Sequence, residues 1–235
     1  MTSNGGTEYD SSKSGEDLTE TSGTIPTATG KIGNARSFAS ADTEYLYHAD
    51  GGSTEINGAD QPVTVSAWIT RASDSGAIEA VVAKWDSVSN NRSYMLAVDE
   101  FECVSGYLSA NGISYAKAVG ITVIPTDSSW QYLVMVYDDT TVSAYLNGAV
   151  NLKLNENPLS YNSGIFNGTA TFMIGARGGS ATGYWNGLID EARVANDART
   201  AAEVKFEYNN MAEADNELTW AEAETVENPI NIIIK

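Results

Sequence analysis

The stretch Trp130-Gln131-Tyr132-Leu133-Val134-Met135-Val136-Tyr137-Asp138-Asp139-Thr140-Thr141-Val142-Ser143-Ala144-Tyr145-Leu146-Asn147-Gly148 decides the fold class. Residues 130–137 form a long β-prone run, and Asp138-Asp139 stops it. A second β-prone run, Val142 to Leu146, follows and ends at Asn147-Gly148, a pair suited to the left-handed backbone of tight hairpin turns. The same grammar recurs outward along the chain. Val63, Val65, Ala67 and Ile69 alternate with Thr64, Ser66, Trp68 and Thr70, and a strand puts the two sets on opposite faces. Ile78 to Lys84 is almost continuously apolar, and Tyr94, Leu96 and Val98 alternate with Met95 and Ala97. Phe172 to Ala176 and Tyr184 to Val194 supply two more candidate strands. Short strands punctuated by turn residues predict an all-β sandwich or barrel. One segment looks helical: Thr200 fits an N-cap, Glu203 completes a capping box, and Val204, Tyr208 and Met211 share one helical face.

Composition excludes whole classes of partner. The chain has 235 residues, with 31 Asp+Glu against 13 Lys+Arg and a net charge of −18. Phosphate backbones and anionic membrane surfaces repel such a chain, so neither nucleic-acid binding nor membrane insertion is expected. With 42% hydrophobic residues, 5 Trp, 12 Tyr and 5 Phe, it is not a disordered composition. The single cysteine, Cys103, excludes an intrachain disulfide and reads as a small core residue. No apolar run reaches the roughly 18 residues of a membrane span. Met1 is followed by Thr-Ser-Asn-Gly-Gly rather than by a basic and then an apolar region, so no secretory signal is visible. An extracellular surface or a virion, reached without such a signal, is the expected location.

In their order and spacing, several segments together resemble the laminin-G-like, concanavalin A-like jelly-roll family. They are Gly30-Lys31-Ile32-Gly33-Asn34-Ala35-Arg36-Ser37-Phe38, Val65-Ser66-Ala67-Trp68-Ile69, Val82-Ala83-Lys84-Trp85-Asp86, the hairpin at 130–148, Ile174-Gly175-Ala176 and Tyr184 through Val194, followed by the short helix at Thr200 to Tyr208. The resemblance implies two curved antiparallel sheets packed face to face, with one short C-terminal helix. It divides the chain into an N-terminal arm at 1–7, a jelly-roll domain at 8–211 and an acidic C-terminal extension at 212–235. That extension ends in Ile230 and Ile232-Ile233-Ile234, which is expected to pair with a sheet edge or another subunit. On composition alone the Ser, Thr and Gly of residues 1–30 read as a flexible arm. The resemblance changes this, because Tyr9-Asp10-Ser11-Ser12-Lys13-Ser14-Gly15 is similar to a turn that lies against the Asp of the last strand, here Asp190.

That turn carries the first candidate site. In the family such a turn often shares a calcium ion with the strand, which implies a structural calcium held by Asp10, Ser12 and Asp190 with nearby carbonyls, since calcium takes six to eight oxygens. The residues alone also fit an Asx-turn at Asp10 and a loop cap at Asp190. The second site is a sugar surface. Trp85, Asp86, Arg92, Arg177, Tyr184 and Trp185 combine aromatic rings with hydrogen-bonding groups near turns, and Tyr107, Tyr115, Tyr161 and Phe166 are further exposed-ring candidates. Aromatics at strand ends also commonly pack over sandwich rims. A third pattern, Glu213-Ala214-Asp215-Asn216-Glu217, has the Glu-x-Asp-x-Glu spacing of the glucanases of this fold. It lies beyond the helix in an acidic stretch and reads as a solvated charge run rather than a catalytic strand. His48, the only histidine, reads as a surface loop residue. Neither a phosphate-cradling loop nor a nucleophile elbow is present.

These features suggest a non-enzymatic recognition or adhesion module that binds glycan or protein surfaces through its rim loops, with one calcium. The alternative is a structural decoration or fibre protein of a virion or other large assembly, oligomeric or bound to capsid subunits through the C-terminal segment. A glucanase-like glycoside hydrolase is the weakest alternative.

Overall fold

The computed structural model describes residues 6–12, 15–21, 25–50, 61–178 and 182–212. The acidic run at 213–217, Trp220, the terminal isoleucine run and residues 1–5 lie outside the described residues, as do Lys13 and Ser14 of the N-terminal turn.

The strands are β1 (Thr7–Glu8), β2 (Leu18–Glu20), β3 (Thr27–Thr29), β4 (Asn34–Phe38), β5 (Leu46–His48), β6 (Val63–Ile69), β7 (Glu79–Asp86), β8 (Asn91–Val98), β9 (Cys103–Gly112) and β10 (Ala116–Val123). They continue with β11 (Gln131–Tyr137), β12 (Thr141–Leu146), β13 (Ala149–Val150), β14 (Leu159–Ser160), β15 (Phe172–Ile174) and β16 (Gly187–Ala195), before the helix α1 (Ala201–Ala212). They form two antiparallel sheets. Sheet A runs β1-β2-β5-β15-β7-β8-β9-β10, and sheet B runs β13-β12-β11-β6-β16-β4-β3 with β14 beside β12. The sheets pack face to face as a jelly-roll sandwich.

The alternation in the sequence sets which side chains meet between the sheets. Val63, Val65, Ala67 and Ile69 of β6 join Leu133, Met135 and Tyr137 of β11 and Val142 and Ala144 of β12. Tyr94, Leu96 and Val98 of β8 meet them from sheet A. At about 25 cal/mol per Å² of apolar surface removed from water, this central layer dominates the stability of the fold. The two turns of the deciding stretch follow their chemistry. Asp138 Oδ1 accepts from the amides of Thr140 and Thr141, and Asn147 and Gly148 take φ of 50° and 78°, both in the region a two-residue hairpin turn requires.

The outer face of sheet B is buried too. Trp68, Tyr132, Val134, Val136 and Tyr145 project there, and α1 covers them with Val204, Tyr208 and Met211. Tyr208 stacks on Trp68 with centroids 5.6 Å apart, and the Lys31 ammonium lies 4.7 Å from the centroid of the same Trp68 ring. The capping box forms as the sequence predicts: the Thr200 amide donates to Glu203 Oε2 at 2.7 Å, and the Glu203 amide donates to Thr200 Oγ1 at 3.2 Å.

Two expectations change. His48 is not a loop residue; it ends β5, half-buried, with Nδ1 2.9 Å from the Asp17 carbonyl and Nε2 2.8 Å from Glu16 Oε2. The Ser/Thr/Gly-rich N-terminus holds three short strands, because buried Arg36 ties Glu8 and Glu20 to β4 with contacts of 2.6 and 2.8 Å. Cys103 is buried as expected, and burial pushes its thiol up in pKa. Among the described residues no helix is long and apolar enough to cross a membrane.

Candidate functional site

Among the described residues, no helix lies on the outer face of sheet A. Directly opposed residues of an antiparallel pair share a face, so the register traces one row across it: Tyr47, Met173, Ala83, Met95, Tyr107 and Lys117. Ala83, Met95 and Tyr107 belong with Ala80, Ala97 and Trp85 to an apolar cluster separate from the central core. Trp85, Tyr107 and Tyr115 make a three-ring contact, with centroids 5.6 to 5.9 Å apart. Trp85 and Tyr107 form the floor, 2% and 1% exposed, while Tyr115 stands above them 55% exposed.

Two arginines complete this cluster. The Arg92 guanidinium lies 5.9 Å over the Trp85 ring and donates to the carbonyls of Ser87, Gly112 and Ile113, tying the β7–β8 turn to the β9–β10 turn. Arg177 arrives from the segment after β15, which is joined to β7 by a parallel bridge between Asp86 and Gly178. Burial lowers the Arg177 pKa, and Tyr107, Tyr115 and Arg92 are its electrostatic neighbours. Lys117 lies 5.8 Å over Tyr107 and 5.9 Å over Phe101 and is ion-paired with Asp99 and Glu100. The surface is therefore an exposed aromatic ring on an aromatic floor, ringed by cationic donors. It suits a ligand with one apolar face and hydrogen-bonding edges.

The structure brings Trp85, Arg92 and Arg177 together, but not all six sequence candidates. Trp85 is a buried floor rather than an open platform. Asp86 turns toward its own loop; burial opposes its charge, but the amides of Ser89 and Val88 outweigh this and hold its pKa down. Tyr184 packs against Tyr45, centroids 6.3 Å apart, in a second aromatic group with Tyr47. Trp185 is the clear correction. It is 0% exposed in the central core between the sheets, just before β16, with its amide donating to the Gly175 carbonyl, and it cannot meet a ligand. Lys117 and the joining of Arg177 to Tyr107 were not foreseen, since only the strand register and the Asp86–Gly178 bridge bring them to one place.

Asp10, Ser12 and Asp190 line one cleft of about 680 Å³ where the sandwich opens beneath the N-terminal loop, together with Glu16 and Glu191. The oxygen donors suit a hard cation such as calcium. Each carboxylate is also engaged locally. Asp10 accepts from the amides of Ser12 and Glu16 and the Ser12 hydroxyl, and Asp190 accepts from the amides of Ile32 and Glu191 at 2.9 Å. Among the described residues no three acidic, histidine or cysteine side chains converge as a metal cluster. Burial raises the Asp190 pKa, and a Cβ on Gly30 would fall 2.5 Å from its Oδ2, so only glycine fits there.

A third group of charges surrounds Arg71, which is fully buried. Asp74 and Glu79 approach its Nη2 at 2.9 and 2.6 Å, and Glu102 approaches Nη1 at 3.2 Å. Burial raises the Glu79 pKa, while the Gly76 amide holds Asp74 low. Oppositely shifted carboxylates are the pattern of an acid–base pair, but here a guanidinium fills the space between them and Glu79 is 1% exposed. The group anchors the 72–78 loop.

A family model described as the concanavalin A-like lectin/glucanases superfamily matches residues 40–205. An alpha-L-arabinofuranosidase of Bifidobacterium longum subsp. longum is 24% identical over 167 residues; the match covers 66% of this chain but only 15% of that enzyme's length. Among solved structures, domain 4 of AbnA, a GH43 extracellular arabinanase from Geobacillus stearothermophilus in complex with arabinotriose, superposes with a TM-score of 0.59. It is 20% identical, covering 81% of this chain and 82% of that one. The binding domain of Paraclostridial Mosquitocidal Protein 1 gives a TM-score of 0.60 at 13% identity, covering 79% of this chain and 45% of that one.

Proposed function

Because the chain belongs to the concanavalin A-like lectin/glucanase superfamily, we propose that it is a non-enzymatic carbohydrate-recognition module whose ligand lies on the outer face of sheet A. The observation that carries this is Tyr115, 55% exposed over the Trp85–Tyr107 floor with Arg92 and Arg177 at its flanks. A sugar ring offers a C–H face to such an aromatic and hydroxyls to the donors around it. Two similar proteins are named as enzymes of arabinose-containing glycans, and one of those structures is a single domain with arabinotriose bound. The present chain corresponds to a small portion of the first, as a binding module appended to an enzyme does. An extracellular place of work follows from a polysaccharide ligand.

The test is a glycan array of neutral and acidic oligosaccharides, arabinotriose included, followed by calorimetry of the strongest ligand against the wild type and Tyr115→Ala. Loss of the exposed ring lowers affinity about tenfold or more, the scale of a stacking contact. The melting temperature stays near wild type. Unchanged affinity in Tyr115→Ala, or silence across the array at high protein concentration, overturns the proposal. Release of sugar from any bound oligosaccharide overturns its non-enzymatic part.

A further inference from the structure

Six arginines lie among the described residues, and four have a carboxylate at ion-pair distance: Arg36, Arg71, Arg193 and Arg199. The other two are Arg92 and Arg177. In a chain with 31 acidic residues and 13 basic ones, acids to pair with are abundant. A guanidinium is charged at any working pH and, when desolvated, costs free energy unless a counter-charge or several acceptors meet it. Arg92 has neutral acceptors only: three backbone carbonyls and, at 3.5 Å, the Asn90 side chain. Asp86 feels its field but is held by the 88–89 amides. Arg177 has less still, since its Nε is buried with no hydrogen-bond partner.

A second buried donor points the same way. Tyr107 is 1% exposed and its hydroxyl has no partner. Burial keeps that hydroxyl protonated by pushing its pKa up, so it remains a donor at neutral pH. Buried polar groups are normally satisfied, and each exception calls for an explanation. Of the six such buried side-chain atoms among the described residues, two share one place: Arg177 and Tyr107 are electrostatic neighbours beneath Tyr115, and Arg92 is the next charge beside them.

We infer that this face is selective for an anionic saccharide, one bearing a carboxylate or sulfate that Arg92 and Arg177 clamp while Tyr115 takes the sugar ring. The inference rests on the carbohydrate reading of the same face and narrows it to a ligand class. The guanidinium fork presents parallel N–H donors that match the two oxygens of a carboxylate or the face of a sulfate. A neutral sugar leaves Arg177 without a counter-charge.

The test uses the full chain with three probes: trigalacturonate, its methyl ester, and a sulfated disaccharide. The wild type binds trigalacturonate or the sulfated sugar about tenfold or more tightly than the ester, the scale of a charge-assisted hydrogen bond. Arg177→Gln brings the affinity for the anions down to about that for the ester, while Arg177→Lys retains part of the preference. Preference for trigalacturonate alone marks a carboxylate site, and preference for the sulfated sugar alone marks a sulfate site; either supports the inference. If the ester binds as well as both anions while Tyr115→Ala still abolishes binding, the anion selectivity is overturned and the carbohydrate face stands. If no saccharide binds, both fall together.

Discussion

Asp190 shows how one side chain can serve a loop and a cleft at once. Its two oxygens hold the amides of Ile32 and Glu191, and burial raises its pKa above the ordinary carboxylate value. The folded chain therefore binds this proton more tightly than the unfolded chain. Its contribution is most favourable below the ordinary carboxylate pKa of about 4 and declines as pH rises through the raised folded value. Asp190→Asn removes that decline, so the difference in melting temperature between variant and wild type shifts in the variant's favour from about pH 4 to 7 in a chelator. A constant difference across that range shows that Asp190 does not titrate abnormally. Repeating the melts in calcium tests the proposed cation. Calcium raises the wild-type melting temperature and not the variant's, because ligand-bound carboxylates are stabilised only where they exist. Equal curves for the wild type in calcium and chelator sink the calcium proposal.

At the scale of elements, α1 covers the apolar outer face of sheet B. Tyr208 lies on Trp68 and Tyr132, and its Cβ also closes over Gly148 of the β12–β13 turn. Tyr208→Ala costs about 2–4 kcal/mol, toward the lower end of buried aromatic truncations, because the ring is only partly enclosed. Thr200→Ala, which breaks the capping box, costs about 1 kcal/mol. Chemical denaturation measures both, and near-ultraviolet dichroism of Trp68 reports the first directly. Comparable losses in the two variants show that the ring stack adds little.

Elements with a strong period were legible before the structure. β6, β8, β11 and β12 alternate cleanly, and the capping box marks α1 to within a residue. The outer residues of β6 were not legible as buried, because Thr64, Ser66 and Trp68 look solvent-facing until α1 is placed on them. β1, β2 and β3 were missed as strands because two or three residues carry no period; long-range pairing and the Arg36 ion pairs hold them in place. The candidate site was half legible. Aromatic and arginine residues near turns stand out singly, but Arg92 and Arg177 meet only through strand order, and Trp185 looks like Trp85 in sequence while facing the opposite way.

Over the whole molecule, a charge of −18 works against compactness. Added salt screens that repulsion and also weakens exposed ion pairs such as Lys153–Glu156 and Arg193–Glu191. Surface pairs contribute about 0–1 kcal/mol each, so the net repulsion wins. Raising sodium chloride from about 0.02 to 0.3 M increases the melting temperature by a few degrees. A decrease in calorimetry shows that the pairs outweigh the net charge.

The position of α1 also decides how the protein can be held. The helix closes the back of sheet B, so Ala212 lies on the opposite side of the sandwich from Tyr115 and its two arginines. A tether fixed beyond Ala212 leaves the far surface turned away from its support. Immobilised by that end on a sensor chip or a bead, the protein offers its aromatic face to the liquid, whereas random coupling through lysines puts Lys117, at the border of that face, at risk of being blocked.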